Sequence, residues 1–142
     1  MINQFARYQK GLNTLQIFPN RNDGKCACGC GKGMREGRKR WFSDECKDYA
    51  VTITLIVKGD QRVIRDQLFY RDKGVCASCG SQTENWDADH KLPVKDGGGG
   101  CLLDNFQTLC QKCHKKKTEN QRLSHRATIS SAADSISFQR LL

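Results

Sequence analysis

The chain has 142 residues, 37% of them hydrophobic, with 24 Lys and Arg against 15 Asp and Glu for a formal charge of +9. That length suits one domain or a small pair of modules, and the apolar share is low for a large core, so metals are expected to substitute for buried area. No apolar run is long enough to cross a bilayer, so no membrane role is expected, and the charge favours a polyanionic partner.

Residues 1–24 form an N-terminal segment. Phe5, Tyr8, Leu12 and Leu15 recur at three- and four-residue spacing, which predicts a short amphipathic helix. Gly11 interrupts the run, and Asn20 to Gly24 reads as a loop. No function is assigned to it.

Residues 25–58 are the first informative module. Cys26, Cys28 and Cys30 alternate, so a straight strand would aim Cys28 away from the other two. Gly29 and Gly31 let the chain curl and gather the three thiols. Cys46 is the expected fourth ligand, since no other cysteine or histidine lies before Cys76. The group resembles small treble-clef-type zinc fingers of the Cys-x-Cys-Gly-Cys kind, although Phe42 stands where a cysteine more commonly precedes Ser-Asp. A redox-active thiol cluster is the competing reading.

Arg38, Arg40 and Trp41 lie in a basic run between these ligands. Such a run can grip a phosphate backbone and stack on a base, or form a solvated loop with Trp41 packed on the finger; both readings stand. Ser43 is a good N-cap for a helix starting at Asp44. Val51 to Val57 has the β-branched content of a strand, yet a continuing helix fits the resemblance better and is expected.

Residues 59–126 carry the strongest signal. Gly59-Asp60 breaks the preceding run, and Ile64 to Asp72 reads as a helix with Ile64, Leu68 and Phe69 on its inner face. Two Cys-x-x-Cys pairs follow, Cys76/Cys79 and Cys110/Cys113, whose four thiolates suit tetrahedral zinc. With two such sites loaded, each subtracting about 2 charges, the chain keeps roughly +5. Nine cysteines is an odd number and no export signal is evident, so reduced thiolates in a cytoplasmic setting are expected rather than a disulfide framework.

Thirty residues separate Cys79 from Cys110, more than a simple zinc ribbon needs. Trp86 to His90 reads as a strand ending before Pro93, Gly97 to Gly100 as a flexible tip, and Cys101 to Leu103 as the return strand. A helix is expected from about the second pair to about Arg126. Asp89 and His90 are adjacent, so on a strand they face opposite sides, and a strand end or a bend would have to bring both to one ion. His125 lies eleven residues beyond His114, about 16 Å along a helix axis, too far to share its ion, and is read as surface. Residues 127–142 form a Ser/Ala-rich tail ending in Ile136, Phe138, Leu141 and Leu142, a mobile or docking segment.

Asp89-His90, Asn105 and His114, nested between the two cysteine pairs, resemble the HNH endonuclease family, over roughly residues 62–120. The likeness is to its zinc-containing ββα-metal branch, found in small bacterial and phage nucleases and appended to DNA helicases. It implies a small α+β, metal-stabilised fold: a ββα-metal nuclease domain preceded by a zinc finger. It also implies a metal-dependent endonuclease that cuts DNA in a bacterial or phage-infected cell. In that reading His90 is the general base and Asn105 braces the loop and orients it. Asp89 and His114 hold the catalytic divalent cation (magnesium, manganese, nickel or zinc), while structural zinc sits in the cysteine clusters. Lys91, Lys115, Lys116 and Lys117 are further candidates for phosphate contact. The competing reading is a non-catalytic zinc-finger DNA-binding module.

Overall fold

The computed structural model describes residues 11–99 and 102–138, with side chains as far as residue 125. Its elements are α1 (Thr14–Ile17), α2 (Asp44–Lys58), α3 (Gln61–Asp72), β1 (Trp86–His90), β2 (Phe106–Cys110) and α4 (Gln111–Phe138), with single 3-10 turns at Val94–Asp96 and Leu103–Asn105. It is a small α+β arrangement whose only sheet among the described residues is the β1–β2 hairpin.

Of the predicted N-terminal helix, the described residues include Leu12, which is not helical, and Leu15, which lies in α1. It opens on an Asn13–Gln16 capping box and covers one turn, and Leu15 is 49% exposed. Phe18 is the residue buried instead, against Ala27 and Ala50, with Ile17, Trp41 and Ile53 around them. Phe5 and Tyr8 lie outside the described residues.

The β-branched stretch of α2 is helical, as expected. Ser43 caps the start by accepting from the Cys46 amide, and Gly59, at φ 81, closes the end. Ala50, Thr54 and Val57 recur at helical spacing and are buried, as is Ile56, so packing outweighs the strand propensity of the individual residues. The Thr54 hydroxyl donates to the Ala50 carbonyl at 2.7 Å and so is satisfied inside the core.

The α3 helix starts on Asp60, whose carboxylate accepts from the amides of Arg62 and Val63. Ile64 and Leu68 join Ile56, Trp86 and Phe106 in the main core. Phe69 does not face inward; it is 55% exposed, because five residues from Ile64 carry it well round the helix from the buried stripe. At the end of α3, Arg71 pairs with Asp72 and donates to the carbonyls of Leu103 and Phe106, each at 3.0 Å. Asp72 in turn accepts from the Thr108 hydroxyl at 2.8 Å. Together they pin the hairpin to α3.

The return strand is β2, not Cys101 to Leu103. β1 and β2 pair antiparallel from Trp86 opposite Cys110 to His90 opposite Phe106. Leu103 to Asn105 is a 3-10 turn instead, which swings Asn105 toward the preceding loop, and Cys101 lies outside the described residues. Of the expected tip, Gly100 lies outside the described residues. A Cβ on Gly98 would meet the Leu92 carbonyl oxygen at 1.8 Å, so only glycine allows the loop to close this tightly. β2 passes straight into α4, which continues past Arg126 to Phe138. Side chains beyond residue 125, including the Ile136 and Phe138 cluster, lie outside the described residues, as do Leu141 and Leu142.

Candidate active site and metal centres

Each cysteine set converges in space. The Sγ atoms of Cys76, Cys79, Cys110 and Cys113 lie within 4.8 Å of one another, and so do those of Cys26, Cys28, Cys30 and Cys46. A tetrahedral zinc with Zn–S bonds near 2.3 Å requires S···S edges of about 3.8 Å. Cys79–Cys110 at 3.9 Å and Cys30–Cys46 at 4.0 Å are close to that spacing. In the first set, the Gly80 amide turns back to Cys76 and the Ala77 amide bonds the Thr108 carbonyl, fastening the knuckle to β2. In the second, Gly29 and Gly31 adopt φ of 86° and 79°, the curl the alternating cysteines require.

The thiols do not ionise alike. Burial would raise Cys76, but surrounding backbone amides outweigh it and bring its pKa to about 6. Cys113 receives a lowering bond from Ser78, yet its neighbours Cys110 and Cys79 drive it up to about 11. In the finger the Ser43 hydroxyl lowers Cys46 to about 7, whereas burial raises Cys28 to about 12. Four thiolates cannot crowd together without a counter-charge, which a divalent cation would supply; both donor sets fit zinc.

A third constellation lies between the hairpin and α4. Alternation along β1 puts Asp87 and Asp89 on one face, toward α4. His114, in the first turn of α4, places Nδ1 at 2.9 Å from an Asp87 carboxylate oxygen and Nε2 at 3.8 Å from one of Asp89. The second Asp89 oxygen accepts from Gln107 at 2.8 Å and from the Lys117 ammonium, which also donates to the His90 carbonyl. His114 belongs to neither cysteine set.

His90 occupies the opposite face. β1 stays paired through His90, with no bend to turn it toward Asp89, and its ring lies 4.3 Å from that of Phe106. Burial lowers the His90 pKa, Asp89 raises it and Lys117 lowers it, with a net downward shift that favours the neutral imidazole. Asn105 ties the hairpin loop shut. Its Oδ1 accepts from the Leu92 amide at 2.9 Å, and its Nδ2 donates to the carbonyls of Leu92 and Gly98 at 3.0 and 2.9 Å.

The profile of the HNH endonuclease family matches residues 76–120. A probable HNH endonuclease of Lactococcus phage SK1 is 31% identical over 71 residues, covering 46% of this chain and 76% of that protein. The chain belongs to the HNH endonuclease family. It is also similar to the DNA annealing helicase and endonuclease ZRANB3 of Mus musculus and of Homo sapiens, 58% identical to each over 36 residues. Those matches take in 25% of this chain and only 3% of each mammalian protein's length. No solved structure matches.

Within this HNH chain, the basic residues divide by what they touch. Arg38 pairs with Asp44 at 2.8 Å. Arg40 donates to the carbonyls of Thr14 and Phe18 and lies over the Trp41 ring, which meets Phe18 edge-on at 6.2 Å. Trp41 is half-buried and packs at the edge of the Phe18, Ala27 and Ala50 cluster. Lys91, Lys115 and Lys116 are exposed, whereas Lys117 is drawn into the Asp89 site. Sequence reasoning missed Asp87 and Gln107. Asp87 was visible as the i−2 neighbour of Asp89 on a strand; Gln107 was not, because it needs the true register of β2. No helix among the described residues is long and apolar enough to cross a membrane.

Proposed function

We propose that this chain is a metal-dependent endonuclease that hydrolyses DNA phosphodiester bonds. The observation that carries the reading is the juxtaposition of Asp89 and His114, 3.8 Å apart, with His90 at the end of the same strand. Asp89 and His114 would hold a divalent cation, which when bound engages the scissile phosphate and offsets charge on the departing 3′ oxygen. His90, held neutral by burial, accepts the proton of the attacking water. In-line displacement needs water and leaving oxygen on opposite sides of phosphorus. Alternation along β1 sends proton acceptor and cation ligands to opposite faces, so the scissile phosphate would sit at the end of the strand, where His90 closes it. Asn105 holds the 91–98 loop closed beside His90.

Asp87 orients His114. A proton on Nδ1, donated to the Asp87 carboxylate, leaves the Nε2 lone pair facing Asp89, where a cation would sit. Asp87→Asn is expected to weaken manganese or nickel binding at this site roughly 10- to 100-fold. Zinc content and thermal melting should stay at wild-type values. Calorimetric titration checks the affinity, and an unchanged value would remove Asp87 from this role.

The function itself is tested on supercoiled plasmid with magnesium, manganese, nickel or zinc in turn. Cleavage leaving 5′ phosphate and 3′ hydroxyl ends is expected. Intact plasmid under every metal, with DNA still bound, would leave a non-catalytic zinc-finger module instead.

A further inference from the structure

A groove of about 680 Å³ runs along one side of α4, beside the Asp89–His114 site. Lys117 belongs to both, tied to Asp89 and lining the groove. From there α4 presents a polar stripe through Asn120, Gln121 and Ser124, while Lys95 and Asp96 of the 3-10 turn form the facing wall. A second hollow shares Lys95 and Gln121 and adds Arg122. The groove is cationic, with Lys95, Lys116 and Lys117 against the single carboxylate Asp96, and the adjoining hollow brings Lys95 and Arg122 with no carboxylate.

These cations are not consumed by the fold. Lys95, Lys116 and Arg122 are exposed, and none forms a salt bridge among the described residues, in contrast with Arg21, Arg38 and Arg71. Nor do they converge on a point. Lys116 and Arg122 are six residues apart, about 9 Å along the helix axis. A compact anion would satisfy one of them; an extended polyanion satisfies the series.

We propose that this groove and the hollow adjoining it at Lys95 and Gln121 together seat the phosphate backbone of the cleaved strand beyond the scissile bond. Lys95 contacts it from the loop wall, and Lys116 and Arg122 from α4. The proposal rests on the nuclease reading and adds to it the path of the substrate away from the site. At about 3.4 Å of duplex axis per strand charge, the roughly 12 Å of helix from Lys117 to His125 spans on the order of three nucleotides. The contacts are to backbone and therefore position the strand without reading its sequence.

The full chain carrying Lys95→Ala with Arg122→Ala is compared with one carrying Lys47→Ala with Arg62→Ala, on exposed positions of α2 and α3. Binding of a fluorescent 20-base-pair duplex is measured by anisotropy between 50 and 200 mM salt. The groove variant is expected to reduce the slope of log affinity against log salt by about 2, about 1 per phosphate contact, with the control slope unchanged. A groove variant at the wild-type slope, or a control that falls equally, overturns the proposal. Hydrolysis of bis(p-nitrophenyl) phosphate by the wild-type chain is scored alongside. That ester has no strand beyond its scissile bond, so its failure would count against the nuclease reading, while the salt slope still decides the groove.

Discussion

Removing metal from the Cys76–Cys79–Cys110–Cys113 cluster is expected to unfold the half of the chain that carries Asp89, His90 and His114. A lone two-stranded hairpin is marginal in water, and this one is held by a core of five buried side chains, Ile56, Ile64, Leu68, Trp86 and Phe106. The cluster joins the loop after α3 to the end of β2 and the first turn of α4, so it fixes the hairpin and helix together. Structural zinc contributes apparent binding energies of about 10–16 kcal/mol in small fingers, comparable with the whole stability of an ordinary domain at about 5–15 kcal/mol. The stabilisation should therefore disappear with the ion. A strong chelator, or Cys110→Ser, should abolish the cooperative thermal transition followed by circular dichroism and open the hairpin to proteolysis. Re-adding zinc should restore the chelated wild type. A metal-free protein that melts cooperatively at the wild-type temperature would show that the hydrophobic core suffices and that the cluster is not a staple.

What the sequence disclosed and what it hid follow from the range of each interaction. The cysteine pairs and helix caps were legible because their determinants lie within a few residues, as in Ser43 to Cys46 and Asp60 to Val63. The position of β2 was not. Cys101 to Leu103 reads as the return strand, yet Phe106 to Cys110 is the run that pairs with β1, and periodicity alone cannot choose between two short apolar runs. The choice is made by Arg71, which holds the Leu103 and Phe106 carbonyls from 35 or fewer residues away in sequence. The contacts of Arg40 were hidden for a related reason: the exposed carbonyls of a one-turn helix need donors, and folding brings α1 to Arg40 across 22 to 26 residues. Asp89 and His114 were found through resemblance. Their partner Asp87 is a matter of strand alternation that the motif's lettering conceals.

Replacing His90 by Ala is expected to lower kcat for plasmid cleavage by about 10²–10⁴, the range for losing a positioned general base. The prediction separates chemistry from scaffold because His90 stands apart from the cation ligands. Its ring packs on Phe106, while Asp87, His114 and Asp89 contact one another directly, so its removal leaves those contacts in place. Loss of the ring contact with Phe106 alone should cost about 0.5–1.5 kcal/mol of stability. Zinc content, manganese affinity and duplex affinity should therefore match wild type. Asp89→Ala should behave differently, losing manganese affinity together with cleavage. If His90→Ala cleaves at the wild-type rate while Asp89→Ala is inactive, the proton acceptor lies elsewhere and the division of labour across β1 is wrong. If His90→Ala also loses manganese, the imidazole is a ligand or a support for the cation site, and the opposite-face arrangement would carry no catalytic meaning.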